Sequence, residues 1–282
     1  MKRLLLSGTA SMLCCGLASA ADLPARQSPP AFVAPALAVY DWTGFYAGGN
    51  VGGAFTTRDN ESTIPNDPRV TQGQINAGTV LPNFVLHQAG VTAGAQIGYN
   101  HEFAGGIVAG IEADAAYTDL DKSSQYVGVA SVTSNYHQSL DYLGTVRGRL
   151  GYAFDRALIY GTGGFAYGQT HFSQSIVAGN ANNLLIWGGN QSSLQTGFAV
   201  GGGVEYALPV RSILNPFNAS AVTLRAEYLY YDLGSRNVNL VGGAGAPYYF
   251  TDAHRTAGNI VRGAINYKFD FGGQPVPVVA KY

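Results

Sequence analysis

Ten ionisable side chains fall at alternate positions of segments that are otherwise apolar or rich in glycine: Glu112, Asp114, Asp141, Arg147, Arg149, Glu205, Arg225, Glu227, Arg262 and Lys268. Along an extended chain successive side chains point to opposite faces, so charges spaced this way share one face of their strands. Five acids against five bases, gathered away from bulk water, must pair, because an uncompensated charge there costs several kcal/mol. Two chemistries fit such a set. One is a packed, salt-bridged interior, and the other is a narrow, gated ion path along the same residues.

The remaining candidates are weaker. His87, His137, His171 and His254 fall in or beside polar stretches between the alternating segments, while His101 lies near a short turn. Neutral imidazole ligates haem and metals, and Tyr126, Tyr136, Tyr248 and Tyr249 could add aromatic surface for a porphyrin. Polar residues concentrate in loops for ordinary reasons as well. Gly161-Thr162-Gly163-Gly164 lacks the Gly-Lys-Ser/Thr ending of a phosphate loop and reads as small residues in a strand. No Gly-x-Ser-x-Gly elbow occurs, and His254 near Asp252 is the nearest approach to an acid–base pair. Neither an enzymatic activity nor a cofactor is expected.

The elements that must position these residues are strands. Segments 43–55, 91–103, 107–118, 139–152, 195–208, 221–232 and 256–269 alternate between an apolar and a polar or glycine set, and 157–168 is apolar or glycine on both faces, so its facing is open. In 139–152, for example, Leu140, Tyr142, Val146, Leu150 and Tyr152 oppose Asp141, Thr145, Arg147 and Arg149. Eight segments about as long as the ~9–11 residues of a tilted membrane strand carry the dyad pattern of a transmembrane barrel. The intervening stretches 56–89, 119–138, 169–194 and 233–255 are long and polar, whereas 104–106 and 153–156 are short, as external loops and periplasmic turns should be. Tyr99, Phe103, Tyr152, Phe154, Tyr206, Tyr267 and Phe269 would form one aromatic girdle, and Phe55, Tyr117 and Tyr230 the other.

A soluble β-sandwich also alternates, but with a charged outer face. Here only 12% of the 282 residues are charged, against about 25% in ordinary soluble domains, and 38 are glycine and 18 tyrosine. That balance excludes disorder and disfavours a helical protein. A net charge of −1 offers no footprint for nucleic acid.

Met1-Lys2-Arg3, the uncharged run 4–17 and Ala18-Ser19-Ala20 have the form of a cleaved secretory leader over 1–20. Both cysteines, Cys14 and Cys15, lie inside it, so disulfides cannot hold the exported chain. A Pro-rich linker is expected over 21–40, the barrel over 41–271 and a tail over 272–282.

Trp42-Thr43-Gly44-Phe45-Tyr46-Ala47-Gly48, Gly161-Thr162-Gly163-Gly164-Phe165-Ala166-Tyr167-Gly168, Arg225-Ala226-Glu227-Tyr228-Leu229-Tyr230-Tyr231 and Val261-Arg262-Gly263-Ala264-Ile265-Asn266-Tyr267-Lys268-Phe269 resemble the small alphaproteobacterial outer-membrane barrels of the Omp25/Omp31-type porin family. The resemblance covers about 41–271 and implies an all-β, eight-stranded antiparallel transmembrane barrel in the outer membrane. It further implies exposure at the cell surface and, from family members, haemin binding or modest pore activity. Expected partners are outer-membrane lipid and lipopolysaccharide, the barrel-assembly machinery, and an extracellular ligand or host surface, with an oligomer as a further possibility. The chain departs from the usual barrel ending: Phe269 and Phe271 are followed by further residues to Tyr282, leaving open which aromatic is read during assembly. The expected function is a structural role in the envelope with weak porin-like passage of small solutes; the alternative is a surface receptor or adhesin acting through the external loops.

Overall fold

The computed structural model describes residues 40–56, 59–65, 76, 83–86, 89–128, 131–178, 185–208, 219–243 and 249–269. The expected leader at 1–20, the linker up to residue 39, the tail at 272–282, His87, Tyr248 and Phe271 lie outside them.

Among the described residues ten strands form: β1 (Gly44–Thr56), β2 (Asp59–Pro65), β3 (Asn83–Leu86), β4 (Ala89–Glu102), β5 (Ile107–Val127), β6 (Val132–Phe154), β7 (Ala157–Ala178), β8 (Leu185–Leu208), β9 (Ala221–Gly242) and β10 (Tyr249–Phe269). β1 and β4 to β10 pair antiparallel in chain order, and β1 also pairs with β10, which closes an eight-stranded ring. Closure leaves no edge within the hydrocarbon, the condition for a sheet to cross it. The stretch 56–89, expected to be loop throughout, contains the hairpin β2–β3. The β1 ladder on β10 stops at Thr56 opposite Gly258, and β2 takes up β10 again between Ala253 and Phe250.

The ring is turned apolar side out. Val51, Val91, Ile97, Ile111, Val146 and Leu150 are each more than half exposed, a belt that only hydrocarbon would cover. In β7, whose facing the sequence left open, Ile159 and Phe165 join this belt while Leu158, Tyr160 and Thr162 turn inward. Exposed rings edge the belt: Phe45, Phe103, Tyr152, Phe154, Tyr206 and Phe269 at the periplasmic side, and Phe55, Tyr117, Tyr142, Phe165 and Phe198 at the other. From Phe154 to Tyr142 a strand climbs about 30 Å after allowing for tilt. At the periplasmic turn after β4, Gly105 and Gly106 adopt φ of 88° and 83°, a conformation L side chains rarely take.

β5 to β10 are 21 to 24 residues long, about twice what the hydrocarbon needs. The stretches expected as external loops, 119–138, 169–194 and 233–255, are therefore largely strand. Above the outer girdle the outer face turns largely polar, and the inner face mixes apolar side chains with buried Ser134, Gln138, Gln174 and Asp252. Val132, Tyr136, Phe172, Ile176, Val238 and Leu240 are buried inside, while Asn135, His137, His171, Ser173 and Ser175 face out. Water replaces lipid as the outer solvent, so the apolar set moves to the inner face.

The interior is layered. Trp42, Val108, Ala153, Leu158, Tyr160 and Ala207 form an apolar floor at the periplasmic end. Charged residues occupy the middle. Leu120, Leu140, Leu143, Leu229, Leu233 and Ile260, with their neighbours, make an apolar layer above them. The clusters Tyr136–Phe172–Val238 and Val132–Ile176–Trp187–Leu240 fill the extension.

Candidate functional site

Strand parity delivers the central charges. Glu112 and Asp114 on β5 pair in register with Arg147 and Thr145 on β6, and Glu205 on β8 with Arg225 on β9, while Glu227 on β9 faces Arg262 on β10. With Arg149 on β6, these make eight charged residues that lie within the lumen and are almost wholly buried. Arg147 is the hub. Its Nη2 donates to Glu112 at 2.8 Å and Asp114 at 2.9 Å, its Nη1 to Glu227 at 3.2 Å, and its Nε to Thr145 Oγ1 at 2.8 Å. Arg262 donates to Glu227 through Nε at 2.7 Å and to Asp114 through Nη1 at 3.1 Å. Arg225 donates to Glu112 at 2.6 Å and Glu205 at 3.2 Å, and Arg149 to Glu205 at 2.9 Å. Four guanidiniums thus meet four carboxylates, and planar forks satisfy several acceptors at once.

Neutral groups complete the layer, and sequence reasoning missed them. The Tyr46 hydroxyl donates to Glu112 at 2.6 Å and accepts from Arg149 at 2.9 Å; that of Tyr160 donates to Glu227 at 2.8 Å, and its ring lies 4.0 Å from the Arg149 guanidinium carbon. Asn50, Gln96 and Asn266 form a chain of amides ending on Glu205. Tyr46 was legible as an inward position of β1. A Cβ at Gly98 would overlap its hydroxyl, so the glycine is the space the ring occupies.

Two expected members of the network lie elsewhere. Asp141 faces out. β6 carries one residue more than β7 between Leu140 and Tyr142, and this bulge turns Leu140 inward and Asp141 outward, against the parity of the segment. Lys268 sits at the periplasmic mouth, where its amine donates to the Asp41 carbonyl and lies 5.3 Å from the Tyr40 ring. It is one residue from the end of β10. The same mouth is closed by the segment preceding β1. Trp42 donates through its indole to the Asp155 carbonyl at 3.0 Å and through its backbone to Glu102 at 2.8 Å. Burial there pushes the Tyr40 hydroxyl pKa up.

The described histidines do not converge. His254, expected in a loop, is in β10 with its ring inside the extension, stacked on Phe172 at 4.6 Å and 8°. It lies above the membrane band, and burial pulls its pKa down to about 4. His137 and His171 face out on β6 and β7. His137 Nδ1 is 3.1 Å from Ser123 Oγ and 3.5 Å from Asp121. His171 bridges Asp141 Oδ2 at 2.8 Å and Ser192 Oγ at 2.5 Å. Among the described residues no three His, Cys, Asp or Glu side chains are grouped to hold a metal.

Comparison with known proteins places this architecture. Residues 30–269 match the model of the outer membrane protein beta-barrel domain. The 31 kDa outer-membrane immunogenic protein of Brucella melitensis is 31% identical over 280 residues, covering 95% of this chain and all of that one. The 22 kDa outer membrane protein of Rhizobium leguminosarum bv. viciae is 29% identical over 211 residues, 75% of this chain and 74% of that one. Among solved structures, the outer membrane protein OprG from Pseudomonas aeruginosa aligns over 82% of this chain and 97% of its own, at 14% identity and a TM-score of 0.44. The closed ring, its apolar outer belt and these relatives make the chain a member of the outer-membrane β-barrel family, of the Omp25/Omp31 type, located in the bacterial outer membrane.

Proposed function

We propose that the protein is a non-conducting barrel that serves the outer membrane structurally and displays a folded β-extension at the cell surface. The observation that carries this reading is the filled lumen: an apolar floor around Trp42, a layer of four paired arginines and four carboxylates, and an apolar layer around Leu120 and Leu229 follow one another along the axis. Ions cross an eight-stranded barrel only between side chains, since its interior is just wide enough for side chains to fill it. Here the arginines and carboxylates bond each other instead of facing water, which supports closure over porin-like passage. Repeated insertion of the purified barrel into planar bilayers tests this: a flat baseline is expected, and reproducible unitary steps would refute it.

The extension favours a second, compatible reading as a surface receptor or adhesin. Six strands rise past the outer girdle and give the external parts a fixed shape instead of free loops. Haemin or metal ligation draws no support from the described histidines, because His254 is enclosed while His137 and His171 face outward. For assembly, we place the aromatic signal at Phe269, the last residue of the strand that closes the ring against Phe45 of β1. Phe269→Ala should then lower the folded yield delivered by the barrel-assembly machinery, read as the fraction of heat-modifiable protein in isolated outer membranes.

A further inference from the structure

We propose that the outer face of the β5–β7 extension is a binding site for a neutral saccharide chain. Ser123 and Gln125 on β5, Asn135 and His137 on β6, and Ser173 and Ser175 on β7 stand in register on this face and line a depression of about 470 Å³. Sites for small ligands generally span about 300–1,000 Å³. The face begins just above Tyr117 and Tyr142, paired rings of the outer girdle. It therefore lies roughly 12 Å beyond the hydrocarbon, allowing for strand rise and tilt. Sugars are the chemistry found at that height.

The side chains are ordered before any ligand arrives. Gln125 Nε2 donates to Asn135 Oδ1 at 2.9 Å, Asn135 Nδ2 to Ser175 Oγ at 3.4 Å, and Ser123 Oγ meets His137 Nδ1 at 3.1 Å. Groups fixed in this way lose little rotamer freedom on binding. Each hydroxyl and amide still has donor or acceptor capacity left after these bonds, which matches the paired donor and acceptor character of sugar hydroxyls. The residues lining the depression include no lysine or arginine, so it is unsuited to phosphate, and no exposed aliphatic side chain that would anchor a protein partner. The opposite side of the extension differs, with Arg236 and Arg255 exposed on β9 and β10.

The saccharide could belong to glycolipid in the surrounding leaflet or to a glycan from outside the cell. This proposal extends the display reading but does not depend on a closed lumen, so the conductance test and the present one fail separately. Full-length barrel, refolded in detergent free of lipopolysaccharide, is titrated with delipidated, dephosphorylated core oligosaccharide of the producing bacterium, and separately with maltoheptaose. Amide shifts by nuclear magnetic resonance should concentrate in 123–125, 135–137 and 173–175. The triple variant Asn135→Val, Ser173→Val, Ser175→Val keeps strand-forming side chains and should bind at least tenfold more weakly while retaining the heat-dependent gel shift. A response to core oligosaccharide alone assigns the leaflet glycolipid, and a response to both sugars assigns external glycans. If neither shifts these amides, or if the variant binds as well as the parent, the proposal falls. Arg255→Ala, on the far side, should leave binding unchanged.

Discussion

Replacing Arg147 by methionine probes the lumen at its most connected point. The side chain is fully buried and donates to Glu112, Asp114, Glu227, Thr145 and Thr162. Removing one partner of a buried ion pair costs about 3–5 kcal/mol. The lower end applies here, because every carboxylate keeps a cation: Glu112 retains Arg225 at 2.6 Å, Asp114 retains Arg262 at 3.1 Å, and Glu227 retains Arg262 at 2.7 Å. The expected loss is about 3 kcal/mol, with the lumen left one negative charge out of balance. Urea titration of the barrel in phospholipid vesicles, with the folded fraction read from the heat-modifiable gel shift, should place the midpoint at least about 1 M lower, since typical slopes are ~1–3 kcal/mol/M. Arg255→Ala is the matched control. Its ion pair with Asp232 joins a side chain more than half exposed to a buried carboxylate, which keeps the Gly234 N–H at 2.9 Å, so the loss should stay well below that at Arg147. Adding Glu112→Gln to Arg147→Met should recover part of the loss by restoring charge balance. If Arg147→Met and Arg255→Ala shift the midpoint equally, the paired lumen is not what stabilises the barrel.

Three further outcomes follow from the same contacts. His254 titrates at about 4 folded and near 6.5 unfolded, so the unfolded chain binds more protons between these values. Stability present above about pH 6.5 is thus lost as pH falls towards 4, by roughly 3 kcal/mol in total; hydrogen-exchange protection factors in the extension, with the intrinsic pH dependence of exchange divided out, should fall across that window in the parent and stay level in His254→Phe. Trp42→Ala empties the apolar floor and should destabilise the barrel by about 3–5 kcal/mol, seen as a lower gel-shift temperature. Gly98→Ala forces the Tyr46 ring off Glu112 and should lower the folded yield more than Gly53→Ala, where an added Cβ meets only one backbone oxygen at 4.0 Å.

The membrane-spanning half of each strand could be read from the sequence because two solvents, lipid outside and a polar lumen inside, force strict alternation. Arg147, Arg149, Arg225 and Arg262 fall on the inner face for that reason. The upper half could not be read the same way. In 131–140 the inward Val132, Tyr136 and Leu140 share their face with buried Ser134 and Gln138, and their outward partners are polar, so the stretch looks like a polar loop to a search for an apolar outer stripe. Asp141 was misplaced by a one-residue bulge that no periodicity announces. Tyr160 escaped because β7 has small or apolar residues on both faces, and only the arginine from a neighbouring strand gives its ring a role.

The central charges also do something that stability alone does not explain. Well-packed apolar residues of similar volume often replace buried ion pairs at no net cost. A one-residue slip between strands, however, moves every side chain to the other face. For β5, β6, β9 and β10 such a slip would put Glu112, Asp114, Arg147, Arg149, Arg225, Glu227 and Arg262 against lipid. Each arginine at the bilayer midplane would cost about 2–4 kcal/mol, so the four together would cost about 8–16 kcal/mol, as much as the ~5–15 kcal/mol stability of a whole fold. An apolar lumen would impose no such penalty, because both faces of each strand would then suit hydrocarbon. A barrel carrying methionine at the four central arginines and leucine or glutamine at the four acids should therefore retain a urea midpoint close to the parent's while populating several registers. Amide spectra would show this as multiple peaks for single β6 residues. One sharp set of peaks in that variant would mean that the turns and girdles fix the register unaided, and that the charges serve only to fill the lumen.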